Sequence, residues 1–400
     1  MSAAAGRALR IVYPLLWSRP GRQACREQTV STVAALARRG HSVTLLMPRA
    51  AGDPALGADE LRDYFQVEGD FQIVQRAGPR VSENAVASAL WLRRAFRDPE
   101  LLGGDVILSR IPMLLALGAF APRPFALDHY RPWPDDLPMI RPLVRRTAAG
   151  ANCLGLIIHS HYAAGSYVRA GVSADKVLVA HNGASPRAGA AIDKREARAS
   201  LGLPQDRRIA AYAGRLNLRK GLDQLLALAS LRPEVLFLLI GSEGDGPIER
   251  EATACANVRI LPWQEPDSLA LWLRAADVLL IPASRTPLER YRDCVLPMKL
   301  FAYFAAARPI LAPQSPDTAE LLEHERTALL VPPGSPAAAA AMLDRIIEDS
   351  ALAERIAANA GRLANALSWD NRAARISDFL LARLRAAEQP GLRLASALRV

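Results

Sequence analysis

Residues 210–240 read AAYAGRLNLRKGLDQLLALASLRPEVLFLLI. A short apolar run, 209–213, stops on Gly214, and the polar loop 215–220 follows it. Gly221 then opens a stretch with Leu222, Leu225, Leu226 and Leu228 at near-helical spacing, and 235–240 is a second apolar run ending on Gly241. The pattern predicts strand, tight loop, helix and strand. In a doubly wound sheet, ligands sit beyond the carboxyl ends of parallel strands, at the start of the next helix. Arg215 and Lys220 fall there, and two fixed positive charges beside a helix amino end suit a phosphate or diphosphate. The chain has fifty Lys plus Arg but only four lysines, Lys176, Lys194, Lys220 and Lys299. Lys220 therefore reads either as a phosphate contact or as a solvated charge beside a helix.

The same alternation extends both ways. Upstream, strands are predicted at 9–17, 41–48, 71–77, 105–109, 125–129, 155–160 and 176–181, with helices between most of them. The loop after the first strand bears Gly21 but no GxGxxG, so a dinucleotide cofactor is not expected. Pro132, Pro134 and Pro138 predict irregular chain after His129, with Asp135 and Asp136 in a solvated turn. His129, His159 and His181 each close a predicted strand, where an α/β crevice collects function. The small, Pro/Gly-bearing segment 184–192 is the expected interdomain linker. Downstream, strands are predicted at 258–262, 277–282, 309–312 and 328–331, and helices at 248–255, 266–275, from about Pro297, and at 317–322. From Ser335 onward the pattern is helical. The expected division is 1–188, 189–370, a terminal helix 371–388 and a tail 389–400. The fold class is α/β, two Rossmann-like parallel-sheet domains.

Net charge is +10, which fits anionic ligands or an anionic membrane surface. The basic residues are scattered and carry no zinc-finger or RNA-binding signature, so nucleic acid is not an expected partner. Cys25, Cys153, Cys255 and Cys294 show no metal-ligand spacing, and a disulfide framework is not expected in a chain of this size. The apolar run 11–17 is short, contains Pro14 and reads as a first strand rather than a signal peptide. The expected compartment is the cytoplasm. The 389–400 tail and the basic surface allow contact at the inner face of a membrane.

AGRLNLRKGLDQLL resembles the donor-phosphate loop of the retaining family-4 (group 1) glycosyltransferases of the two-domain GT-B type. LLIGSEGDGPIERE, NVRILPW, LRAADVLLIPA and LPMKLFAYFAAARPILAP continue in that family's order. The resemblance covers most of 205–370 and is fainter over 9–185. It implies two domains facing across a cleft and a nucleotide-sugar donor serving as co-substrate, with no other cofactor and no metal. The acceptor is a carbohydrate or a lipid-linked sugar, and the setting glycan or glycolipid biosynthesis. Residue by residue, it implies that Arg215, Lys220, Lys299 and Gly21 bind the donor diphosphate. His129 touches the donor sugar or its phosphate and is the candidate catalytic residue. Lys299 matches a variant reading Pro-x-Lys-x-x-Glu, and a lysine in a helix's first turn weakens that helix, which favours a functional role.

The sequence also departs from the family. The glutamate that usually holds the ribose falls at Ala302, and its partner eight residues earlier falls at Cys294. Glu289 and Asp293 lie near enough in sequence to supply a carboxylate. The departure leaves two readings: an active hexosyltransferase-like enzyme with an altered ribose contact, or a catalytically degenerate binding or scaffold subunit of the same fold.

Overall fold

A computed structural model describes residues 7–78, 85–185, 192–285 and 296–388. The chain forms two compact units, one built from residues up to His181 together with those from Trp369 onward, the other from Asn182 to Ser368.

The first unit holds a seven-stranded sheet. Its strands are β1 (Arg10–Pro14), β2 (Ser42–Arg49), β3 (Gln72–Ala77), β4 (Val106–Ser109), β5 (Phe125–His129), β6 (Cys153–Ile158) and β7 (Val177–Val179). They are parallel and ordered β3-β2-β1-β4-β5-β6-β7. The second unit holds a six-stranded sheet of β8 (Ile209–Ala213), β9 (Leu236–Ser242), β10 (Val258–Pro262), β11 (Val278–Leu280), β12 (Ile310–Pro313) and β13 (Leu329–Val331). These are also parallel, ordered β10-β9-β8-β11-β12-β13. The strand order reverses between β1 and β4 in one sheet and between β8 and β11 in the other. Such reversals are where open α/β sheets leave a crevice at their carboxyl edge.

Parallel sheets covered on both faces read as continuous apolar runs, and β4 (VILS) and β8 (IAAYA) are buried throughout. The alternation of side chains along β8 divides the second unit into two cores. Ile209, Ala211 and Ala213 enter one, with Trp272, Phe301 and Phe304. Ala210 and Tyr212 enter the other, with Leu222, Leu225 and Leu343.

The terminal helix Trp369–Glu388 packs within the first unit, with Trp369, Ile376 and Leu380 buried. Its Arg372 reaches Asp128 on β5 with both carboxylate oxygens at 2.8 and 2.9 Å, and each side chain is only 1% exposed. Gln28 donates to the same carboxylate at 2.9 Å.

Three sequence expectations need correction. The proline-rich stretch after His129 is not irregular: it forms the turns Trp133–Asp136 and Pro138–Ile140, because each proline sits at a turn's start, where its missing N–H costs nothing. Nor is Asp136 a solvated turn residue; its side chain is 8% exposed and paired with Arg131 at 2.5 Å. The predicted helix at 317–322 is one 3-10 turn, Thr318–Glu320. The structure also adds a helix with no counterpart in the sequence reading, Lys194–Ser200, capped by Asp193. Of the expected linker, residues 186–191 lie outside the described residues, as does the tail from 389.

Candidate functional site

The site in the second unit starts where β8 ends. Gly214 adds one ladder bond, donating to the Ile240 carbonyl at 2.9 Å, and has φ +136°. A Cβ there would stand 2.8 Å from Lys299 Nζ and 3.0 Å from the Tyr212 hydroxyl, so glycine is required by both backbone and space. The Tyr212 hydroxyl donates to the Arg215 carbonyl at 3.1 Å and fixes the start of the loop. A 3-10 turn, Leu218–Lys220, closes it. Gly221 follows at φ +73°, where a Cβ would lie 2.0 Å from Ser284 Cβ, and the helix Leu222–Leu231 begins.

Lys299 comes from the other side of the strand reversal. It is the first residue of the helix Lys299–Ala306, anchored by Tyr303. The buried Tyr303 hydroxyl accepts from the Ala213 N–H at 2.9 Å and donates to the Leu280 carbonyl at 3.0 Å, joining the helix to the ends of β8 and β11. Lys299 Nζ lies 3.5 Å from the centroid of the Tyr212 ring. Burial, and then repulsion from Lys220, push its ammonium well below the ordinary lysine value. No described carboxylate pairs with Lys299 or Lys220. Arg215 is half-exposed, its Nε 3.5 Å from Glu243. Arg215 and Lys220 thus belong to the loop at the carboxyl end of β8 and Lys299 to the helix after β11, and Lys220 is near enough to Lys299 to disfavour its charge.

Ala302 is half-buried one helical turn beyond Lys299, against apolar neighbours. Glu289, Asp293 and Cys294 lie outside the described residues.

In the first unit, His129 ends β5 and is buried. Its Nδ1 accepts from the Arg131 N–H at 3.1 Å, so the proton of the neutral ring sits on Nε2. The ring packs 3.5 Å from the Trp133 ring, centre to centre. Burial, and then the charge of Arg110, hold its pKa well below the usual histidine value. His159, just past β6, is buried with Nδ1 unpartnered, and burial lowers it to about 3. His181 lies two residues past β7. Gly21 is in the loop after β1; a side chain there would meet only the ends of Arg26 and Gln23, at 2.6 Å each.

Several residues that organise these sites carry no motif in the sequence. Arg110 directly follows β4, at the strand reversal opposite the Gly21 loop. Its guanidinium hydrogen-bonds Gln28, approaches Asp128 at 3.9 Å and lies 5.7 Å from the Tyr130 ring. The strand-end rule that picks out His129 also picks out Arg110 once the run VILS is read as a strand. Tyr212 and Tyr303 read only as core aromatics.

Residues 193–362 match the family model described as glycosyl transferases group 1. The matched stretch lies within the second unit, Asn182 to Ser368. The chain is also similar to curated proteins. A D-inositol 3-phosphate glycosyltransferase of Streptomyces avermitilis is 33% identical over 229 residues, 53% of this chain and 48% of that protein. Its counterpart in Streptomyces coelicolor is 31% identical over 246 residues, 56% and 52% of the two chains. The chain thus spans about half the length of the curated relatives it matches. Among solved structures, sucrose-phosphate synthase from Thermosynechococcus elongatus aligns with TM-score 0.71 and 19% identity, over 95% of this chain and 100% of that one. Anabaena HepE in complex with UDP-glucose aligns with TM-score 0.66 and 18% identity, over 94% and 100%. With two parallel-sheet α/β units and these neighbours, the chain has a GT-B-type fold.

Proposed function

We propose that this chain transfers a sugar from a nucleotide-sugar donor to a carbohydrate or lipid-linked acceptor, with retention of anomeric configuration. The reading needs no metal ion and no cofactor beyond the donor. The observation that carries it is Lys299, buried over the Tyr212 ring at the end of β8 with no described carboxylate paired to it, beside a loop that presents the exposed cations Arg215 and Lys220. A folded chain keeps such a buried ammonium at a cost, and a diphosphate relieves it. As the bond from sugar to diphosphate breaks, negative charge builds on the leaving oxygen, and these cations stabilise it. In the first unit, the neutral His129 offers Nε2–H as a hydrogen-bond donor to substrate. The setting proposed is glycan or glycolipid biosynthesis in the cytoplasm, with peripheral contact at the inner face of the membrane. No described helix is long and apolar enough to cross one.

Thermal shifts with a panel of nucleoside diphosphates test donor binding. UDP comes first, since HepE was solved with UDP-glucose. NMR of donor hydrolysis in EDTA tests turnover, retention and metal independence together. Stabilisation by one diphosphate and release of sugar in the donor's own anomeric form are expected. The absence of any shift across the panel would count against the proposal. Weak donor binding with a stable protein partner would instead favour a scaffold subunit, the reading that Ala302 supports.

Lys220→Ala is expected to weaken nucleoside diphosphate binding by about 1–3 kcal/mol, the scale of a charged hydrogen bond. The nucleoside alone should bind both forms equally in calorimetry; an equal loss for both ligands assigns Lys220 to structure. A second substitution probes the ribose contact. Ala302→Glu places a carboxylate one turn from Lys299, which pairs with no described carboxylate, at a half-buried rather than sealed position. The variant is expected to fold and bind nucleotide sugar more tightly than the parent. Unchanged affinity in a normally melting variant would remove position 302 from the donor site.

A further inference from the structure

The stretch 137–174 contains no aspartate or glutamate, while Arg141, Arg145, Arg146 and Arg169 fall within it. Its first part forms the turn Pro138–Ile140 and the helix Arg141–Ala149. Val144 and Ala148 face the core. The opposite face presents Met139, 84% exposed, with exposed Leu143 and Arg146. The spacing 139, 143, 146 sets these three on one stripe, and exposed Arg145 lies about a quarter-turn beyond Arg146 on its flank. Arg145 and Arg146 pair with no described carboxylate, whereas Arg141 shares Asp135 with Arg169. The Thr147 hydroxyl bonds the Leu115 carbonyl, which brings up the turn Gly118–Phe120, whose Phe120 is 76% exposed. Exposed apolar side chains beside arginines that pair with no described carboxylate, on a short amphipathic element with no acid of its own, are the chemistry of an interfacial anchor for anionic lipid.

We infer that Met139, Leu143, Arg145 and Arg146 dock this unit on an anionic bilayer surface, with the two apolar side chains in the headgroup region. The inference deepens the proposed inner-face contact and moves it from the tail beyond 388 to this helix. The arginines supply the attraction, which falls with salt, and Met139 and Leu143 supply the part that salt does not screen.

The test is co-sedimentation of the full chain with vesicles of phosphatidylcholine alone or mixed with phosphatidylglycerol, with diphosphate thermal shift run in parallel. Binding is expected to the mixed vesicles only and to weaken as salt rises. Each of Arg145→Ala and Arg146→Ala is expected to reduce it about fivefold. Met139→Ser with Leu143→Ser is expected to abolish the salt-resistant fraction. All variants should keep the parent's melting temperature and diphosphate shift, so a failed docking result stands apart from a failed donor result. Equal binding to both vesicle types, or variants that bind like the parent, would overturn the inference. So would loss on truncation after Glu388 alone. Binding to neither vesicle would also overturn it, leaving the patch to an acidic protein partner.

Discussion

Arg372→Leu is expected to destabilise the first unit by about 3–5 kcal/mol, the cost of leaving one member of a buried ion pair alone. Arg372 and Asp128 meet through two hydrogen bonds at 2.8 and 2.9 Å, and neither side chain is more than 1% exposed. Burial by itself would raise the Asp128 pKa; Arg372, and then Arg110, hold it below the usual carboxylate value. Without the guanidinium, Asp128 keeps Gln28 and the more distant Arg110, at 3.9 Å. Arg372 also serves the Ala180 and His181 carbonyls, so its loss frees acceptors at the end of β7. Urea unfolding followed by a probe in the first unit reads the effect. Adding Asp128→Asn to the variant should recover part of the loss, since the unpaired charge goes with it. A variant that unfolds at the parent's midpoint would show that the pair contributes no stability.

Lys299→Ala is expected to lower kcat by about a hundred- to a thousandfold, the range for removing one preorganised charge from a developing oxyanion. KM should change less, because the proposed diphosphate contacts of Arg215 and Lys220 remain. The conservative Lys299→Arg is not expected to rescue, since Nζ already lies 2.8 Å from where a Cβ on Gly214 would stand, and a larger head group has no room. Steady-state kinetics with the donor identified by thermal shift decides it. If kcat is unchanged and only the melting temperature falls, Lys299 serves the Tyr212 stack rather than the reaction.

The sheet architecture was legible because parallel strands announce themselves. The runs 125–129, 209–213 and 258–262 are short and mainly apolar, and each becomes a strand over those residues. The cations of the candidate site were legible for a related reason: Arg215, Lys220 and Lys299 occur at loop–helix junctions that strand order alone makes important. What stayed hidden depends on contacts distant in sequence. Tyr303 bridges β8 and β11 through its hydroxyl, and nothing in FAYFAAA separates that tyrosine from a plain core aromatic. Asp128 precedes the histidine that drew attention, and its partner is 244 residues away. The short helices Trp133–Asp136 and Lys194–Ser200 are set by proline placement and by one aspartate cap, cues weaker than apolar periodicity.

The placement of Trp369–Glu388 sets an order of events during synthesis. The second unit is one uninterrupted length of chain, complete at Ser368. The companion unit begins first, yet waits for a helix translated after the whole of its neighbour. Until then Asp128 has no Arg372, and β7 lacks the guanidinium that caps its end. The domain made second can therefore finish folding before the domain made first. A message broken between these two points yields a whole second unit joined to an incomplete first one.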